Sequence, residues 1–217
     1  MMDIERTSEE IAALAAFGAF DGARLLEVGC GDGRLTAGLA ARVPRLVGID
    51  PSREALRQAA AVAGRARLCR ASGERLPFAD RSFETIVFSL SLHHQNSRRA
   101  LPEAARVLAP AGRILVMEPT LDSEVQQLFH LFEDETAALQ AAQKAIAASP
   151  LRVIQDRAFE ADWPFPHKDA FSRYMFAYHD LPRNAAQEAR LFQKLGPKAE
   201  DRPLVLKDKL SLHCLIP

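Results

Sequence analysis

From Arg24 to Glu118 short apolar runs alternate with stretches whose apolar residues return every three or four positions. The runs Arg24–Val28, Arg45–Ile49, Ala66–Cys69, Thr85–Ser89 and Gly112–Glu118 predict strands, and Arg34–Ala41, Ser52–Gly64 and Arg99–Leu108 predict the helices between them. In the last helix Leu101, Ala104, Ala105 and Leu108 share a stripe, and Pro110 supplies a stop. A helix over Ser8–Phe20 precedes the first strand. Strand and helix in turn are the pattern of a parallel sheet with helices on both faces.

After Glu118-Pro119 the texture changes. Asp122–Ala148 predicts one long helix, opened by a capping box of Ser123 and Gln126 and stopped by Pro150. Leu151–Phe159 predicts a strand, and His167–His179 a helix with Phe171, Tyr174, Met175 and Tyr178 on one stripe. Asn184–Leu195 predicts a further helix, and Leu204–Ile216 a final strand in which Leu210, Leu212 and Cys214 alternate with Lys209, Ser211 and His213. No repeat or linker divides the chain. The expectation is one domain over 1–217: an N-terminal helix or lid at 1–22, a core at 23–119, a helical insertion with a late strand at 120–203, and a last strand at 204–217.

Composition narrows the partners. Lys+Arg and Asp+Glu both number 28, so no net field draws the chain to nucleic acid or to an acidic membrane surface. The first residues, MMDIERTSEE, are acidic where a secretory leader is basic, and no apolar run is long enough to span a bilayer. Cys30, Cys69 and Cys214 are odd in number and far apart, without a C-x-x-C pair. These features lead us to expect a cytoplasmic protein with free thiols, no metal and no membrane partner.

The chemistry gathers at LLEVGCGDGRLTAGLA, where Gly29, Gly31 and Gly33 follow the first predicted strand. Glycines there let the backbone turn sharply and approach a ligand closely. A phosphate-binding loop of the G-x-x-x-x-G-K-[ST] type is excluded, since residues 1–120 contain no lysine. The dinucleotide pattern G-x-G-x-x-G is also missing. Glu27 would repel a pyrophosphate but attract an ammonium. Asp50, at the end of the second strand, is placed to accept both hydrogen bonds of a ribose diol. An ammonium, a ribose and no phosphate describe S-adenosylmethionine. A nicotinamide-dependent oxidoreductase is a weaker reading of the same turn.

With these residues in hand the sequence resembles the class I S-adenosylmethionine-dependent methyltransferases, especially the small-molecule and quinone-biosynthesis branch. EVGCGDG, GIDPS, ASGERLPFADRSFETIVFSLSLHH and EAARVLAPAGRILVMEP carry the resemblance, in order, over residues 23–119. It implies an α/β fold of the Rossmann-like doubly wound kind: a mostly parallel seven-stranded sheet with an antiparallel C-terminal strand and inserted helices. It also implies S-adenosylmethionine as cofactor, with Glu27, Gly29 and Gly31 around its methionine end and Gly33 in the same turn. Asp50 would hold the ribose and Pro51 pack beside adenine. Ser72, Gly73 and Glu74 would flank the adenine edge, and Ser89 would lie near the methionine. Ser72 stands where the family usually has an Asp that accepts from the adenine amino group. Glu84 and Ala111 are further departures.

Methyl transfer from a sulfonium needs in-line alignment and a dry site more than it needs a base. Ser89-Leu-Ser-Leu-His-His94 replaces the N/D-P-P-Y run common in enzymes that methylate adenine or glutamine amines, which disfavours those acceptors. His93 is the candidate base for an oxygen, thiol or carbon acid, with His94 as its alternate. The other reading of the pair is an ordered loop beneath the cofactor. No Cys, Asp or Glu cluster adjoins the pair in sequence, so it is not read as a metal site. Glu133-Asp134-Glu135 reads as a solvated helix face. Trp163, Phe165, Phe171, Tyr174 and Tyr178 either pack the inserted helix or wall an acceptor pocket. Phe17 and Phe20 are expected beside them, with the first helix as a mobile lid whose removal would harm turnover more than fold. The function expected is methylation of a small molecule. The alternative is a noncatalytic S-adenosylmethionine- or S-adenosylhomocysteine-binding protein on the same scaffold.

Overall fold

The structure, a computed structural model, describes residues 4–18, 20 and 24–217, with side chains from Thr7 onward. Residues 1–3, 19 and 21–23 lie outside the described residues, and with them parts of the expected segment 1–22 and of the helix drawn to Phe20.

Helix α1 (Ile4–Ala16) precedes β1 (Arg24–Val28), α2 (Arg34–Ala40), β2 (Arg45–Asp50), α3 (Arg53–Val62) and β3 (Arg67–Arg70). Then come β4 (Phe83–Ser89), α4 (Ser97–Val107) and β5 (Leu108–Pro119). The later chain supplies α5 (Glu124–Phe129), α6 (Thr136–Ala148), β6 (Arg152–Phe165), α7 (Lys168–Tyr178), α8 (Ala185–Leu195), a 3₁₀ turn (Gly196–Glu200) and β7 (Leu204–Ile216). The strands form one seven-stranded sheet in the order β3-β2-β1-β4-β5-β7-β6. Strands β1 to β5 pair in parallel, and β7 runs antiparallel to both β5 and β6. The strand order reverses at β1 and β4, which opens a crevice at their carboxyl ends.

Strand alternation divides the core between two faces. Leu26, Val28, Ile86, Phe88, Ile114 and Val116 pack against α4 and α6 on one face. Leu25, Val87, Leu115 and Met117 face the residues of α1 and α2 on the other. A third cluster, with Trp163, Phe165, Phe171 and Met175, closes the end where β6 and β7 run past the parallel strands.

Three expectations need correction. The long helix from Asp122 breaks between Phe129 and Thr136, because Asp134 Oδ1 accepts the Thr136 backbone N–H at 2.9 Å and so replaces a helical bond. The Ser123–Gln126 capping box does not form. Ser123 Oγ instead donates to Asp208 Oδ1 at 2.9 Å and accepts from the Lys209 N–H, tying α5 to β7. The strand drawn to Phe159 runs on to Phe165, so Trp163 and Phe165 belong to β6.

The lid is also revised. Ile11, Leu14, Phe17 and Phe20 are buried among Leu25, Leu35 and Leu39, so α1 is part of the core. Leu14, with no exposed surface, tests this. Leu14→Ala is expected to lower unfolding free energy by about 2–5 kcal/mol, read as a lower urea midpoint at unchanged slope. A lid residue would leave the midpoint where it is.

Candidate functional site

The glycine turn sits at the end of β1, and all three glycines adopt positive φ: 76° at Gly29, 54° at Gly31 and 88° at Gly33. Only glycine enters that region without strain. The N–H groups of Gly29 and Cys30 both donate to Ile49 O, at 2.8 and 2.9 Å, which binds the turn to β2. Asp50 completes the tie. Its Oδ2 accepts from Gly31 N at 3.0 Å and its Oδ1 from Ser52 N at 2.8 Å.

The glycines differ in what a side chain would meet. A Cβ on Gly33 would come 2.8 Å from Ala59 Cα, so this residue lets α2 pack on α3. It lines neither of the cavities described next. A Cβ on Gly29 would strike Ser91 Cβ at 2.6 Å, whereas one on Gly31 would meet nothing within 4 Å. Gly31 faces open space.

That space is two adjoining cavities at the carboxyl ends of β1, β2 and β4. The larger, about 510 Å³, is lined by Glu27, Gly29, Gly31, Ser89 and His93 among others. The smaller, about 480 Å³, is lined by Gly29, Gly31, Asp50, Pro51, Ser72, Gly73 and Glu74. Gly29, Gly31, Leu90, His94 and Tyr178 line both. Except for Gly33, the residues assigned to the cofactor from the sequence converge here, and the histidine pair joins them.

Glu27 is buried in the floor of the larger cavity, 2 % exposed, and accepts from Thr36 Oγ1 at 2.6 Å. Burial pushes its carboxyl up to about 7, against the pull of the Thr36 bond and of nearby Arg34. Arg34 lines the same cavity and is held by fully buried Glu10 of α1, with Nη1–Oε2 at 2.6 Å. The first helix therefore reaches the site through Glu10, while Phe17 and Phe20 line neither cavity.

In the smaller cavity Ser72 Oγ accepts from Glu74 N at 3.3 Å, and Glu74 Oε1 from Asn96 N at 3.0 Å. The sequence reading missed Gln95, the polar residue directly after the histidine pair. Its Nε2 donates to Ser91 O at 3.0 Å, while its Oε1 is buried without a hydrogen-bond partner. A buried acceptor left in this way invites a donor from whatever fills the cavity.

The histidine pair has more company than its sequence neighbours suggest. Strand β5 brings Glu118 onto His93 Nδ1, and Glu118 Oε1 also accepts the Leu92 N–H at 2.7 Å. The break before α6 brings in Glu135, whose Oε1 lies 3.7 Å from Nε2 of both His93 and His94. Glu135 is thus no solvated helix face. Its side chain is 12 % exposed and its Oε2 accepts from Gln126 Nε2 at 3.0 Å. Burial alone would lower the pKa of His93, but the hydrogen bond to Glu118 and the nearby Glu135 carboxylate outweigh it and hold the ring up at about 9. A ring held protonated at neutral pH has no lone pair to take a proton, so the base role expected of His93 does not suit this geometry. The same contacts bring Glu135 below its ordinary range, to about 2, against the cost of its burial.

The far wall of the larger cavity is aromatic. Phe129 of α5, Trp163 of β6 and Tyr174 and Tyr178 of α7 line it, and Asp208 of β7 joins them. Tyr174 packs edge-on to Trp163 with ring centres 4.9 Å apart; Phe165 contacts both rings from the core and is itself backed by Phe171. The stripe thus serves as packing on one side and as chamber wall on the other.

Residues 26–116 match the family described as methyltransferase domain. Methyltransferase YcgJ of Bacillus subtilis is 32% identical over 120 residues, covering 50% of this chain and 47% of that protein. The ubiquinone/menaquinone biosynthesis C-methyltransferase UbiE of Geotalea daltonii is 34% identical over 121 residues, covering 50% and 52%. The match spans about half the length of these curated relatives. The crystal structure of YcgJ superposes with a TM-score of 0.66 over 97% of both chains at 22% identity. A geranyl diphosphate methyltransferase in complex with SAM superposes at 0.60 over 97% of this chain and 84% of that one, at 14% identity. At these identities the superpositions speak for the shared fold.

Proposed function

We propose that the chain, whose residues 26–116 match the methyltransferase-domain family, is a class I S-adenosylmethionine-dependent methyltransferase that transfers the methyl group to a small-molecule acceptor seated in the aromatic-walled chamber. The observation that carries this reading is the pairing of two cavities around Gly31, one floored by Glu27 and the other by Asp50.

The residues present fit the cofactor's chemistry. Gly31 leaves open the space that a Cβ would fill, and Gln95 Oε1 offers a buried acceptor to an amino group. That acceptor supplies what Ser72 lacks relative to the family's usual Asp. Glu27 would hold the ammonium, Asp50 the ribose hydroxyls, Pro51 one face of the adenine, and Ser72, Gly73 and Glu74 its edge. Ser89 would lie by the methionine end. When bound, the cofactor supplies an electrophilic methyl on a sulfonium that is itself an excellent leaving group. The chain's part is to align the acceptor, to exclude water with Phe129, Trp163 and Tyr174, and to fix charge with His93 and its two carboxylates. Aromatic rings wall one side of the chamber and its one arginine, Arg34, is held by Glu10, so it is not a basic groove, which favours a small acceptor; no described helix is long and apolar enough to cross a membrane.

Calorimetry is expected to show binding of S-adenosylmethionine or S-adenosylhomocysteine and none of NAD; the reverse result would sink the proposal. A metabolite library offered with methyl-labelled cofactor then identifies the acceptor. Release of S-adenosylhomocysteine separates an enzyme from a noncatalytic binding protein.

Glu27 makes affinity depend on pH. An acid whose pKa is raised on folding binds its proton more tightly in the native state. Its contribution to stability therefore falls as pH climbs from the ordinary carboxyl range to about 7. Only the ionised form attracts an ammonium. Affinity for S-adenosylhomocysteine is expected to rise between about pH 5.5 and 7.5, by up to roughly tenfold per unit while Glu27 is neutral. Glu27→Gln should flatten that rise, and an unchanged slope in the variant would remove Glu27 from the ammonium site.

A further inference from the structure

The cluster around His93 is built in the manner of a metal site. His93, His94 and Glu135 each offer one donor atom, and the three atoms lie within 4.8 Å of one another. Two donors on one ion, each about 2.0–2.2 Å from it, can stand no more than about 4.3 Å apart. The 3.7 Å from Glu135 Oε1 to each histidine Nε2 lies inside that limit. Adjusting exposed His94, whose side chain is 50 % accessible, closes the remaining gap.

The surroundings support the same role. Glu118 holds His93 Nδ1 and is itself fixed by the Leu92 N–H, so the carboxylate orients the ring with Nε2 turned toward Glu135. A carboxylate on the far nitrogen is the usual support of a metal-bound imidazole. Gln126 fixes Glu135 through its other oxygen. Two carboxylates thus meet two imidazoles. All three donor residues line the larger cavity, so an ion held by them keeps its open side toward the chamber.

We propose that His93, His94 and Glu135 bind one divalent first-row transition ion, of the kind that zinc represents, with Glu118 as the support of His93. The ion takes the place of the proton on His93 Nε2, which leaves on binding. Two imidazoles and one carboxylate suit such an ion better than magnesium or calcium, which favour oxygen donors alone.

The proposal deepens the methyltransferase reading, on which its second part rests, by naming the acceptor class. An acceptor reaching the open side needs a ligating oxygen or sulfur: a hydroxyl, an enol or a thiol. Bound to a dication, such a group gives up its proton to water near neutral pH. Its lone pair then forms the bond to the methyl carbon, and the electron pair of the broken carbon–sulfur bond stays on sulfur. Atoms and charge balance without another reactant. The ion takes over the role that a base would fill.

The test uses the full chain, stripped with a chelator and titrated with Zn²⁺ by calorimetry and with Co²⁺ by visible absorption. One ion per chain is expected, with a Kd tighter than about 100 µM. His94→Ala and Glu135→Gln should each weaken binding by at least about a hundredfold, and Glu118→Gln by about 10–100-fold. His130→Gln, outside the cluster, should bind as the parent does. Circular dichroism and S-adenosylhomocysteine calorimetry on each variant verify the fold; His94, being half exposed, is the variant least prone to disturb it. Binding weaker than the stated limit, or equal binding by His94→Ala and Glu135→Gln, would overturn the metal site. Failure of the parent to bind S-adenosylhomocysteine would instead overturn the proposed function, and the ion titration does not depend on that result.

Discussion

Gly31→Val is expected to abolish binding of S-adenosylhomocysteine while the protein stays folded. Gly31 borders both cavities, and a Cβ there meets no protein atom within 4 Å. The chain itself therefore has room for the side chain, and the two γ-methyl groups would enter the space proposed for the cofactor. A second cost is conformational. The φ of 54° suits glycine, and a β-branched residue there is strained by about 1–2 kcal/mol. Gly31→Ala separates the two effects, since it carries the strain with little of the bulk. The valine variant should lose at least about a hundredfold in affinity, equivalent to about 2.7 kcal/mol, and the alanine variant clearly less. Gly29→Val would be a poor substitute: Ser91 blocks its Cβ at 2.6 Å, so it would disturb the loop after β4 as well. Unaltered binding by Gly31→Val would mean that the cofactor lies elsewhere.

The contrast among the three glycines also shows what a sequence can and cannot carry. Their shared need for positive φ is local, and it was legible in the G-x-G-x-G spacing. What each faces depends on chain far away: α3 for Gly33, the segment after β4 for Gly29, open cavity for Gly31. The parallel strands were legible for a similar reason. Burial on both faces makes β1, β2, β4 and β5 near-continuous apolar runs, which periodicity detects. Strand β6 was only half legible because it changes environment along its length: Arg152–Ala158 is exposed at the sheet edge, and Ala161, Trp163 and Phe165 turn into the core.

The histidine site was hidden by distance in sequence. His93 and His94 alone suggest a base. The partners that change their chemistry come from the end of β5 and from the gap between α5 and α6. A helical reading of Asp122–Ala148 carries Glu135 along a continuous face; the turn made by Asp134 and Thr136 instead presents it to the pair. The same local side-chain bond that spoiled the helix assignment thus assembles the site.

Asp50→Ala should weaken S-adenosylhomocysteine binding by at least tenfold, and by about a hundredfold if both ribose bonds are lost at the low end of 1.5–3 kcal/mol for each bond to a charged group. The carboxylate has two tasks, and the experiment has to tell them apart. It already accepts from Gly31 N and Ser52 N, so its removal frees the glycine turn as well as the ribose. Each oxygen retains a lone pair for a hydroxyl beyond its backbone partner. An analogue of S-adenosylhomocysteine without the ribose hydroxyls isolates the second task. The parent should prefer the natural ligand to the analogue by about the same factor that separates parent from variant. The variant should bind the two alike. A variant that still prefers the natural ligand in full would mean that other groups hold the ribose and that Asp50 acts only on the turn. The first outcome gives Asp50 the ribose; the second leaves it the architecture around Gly31.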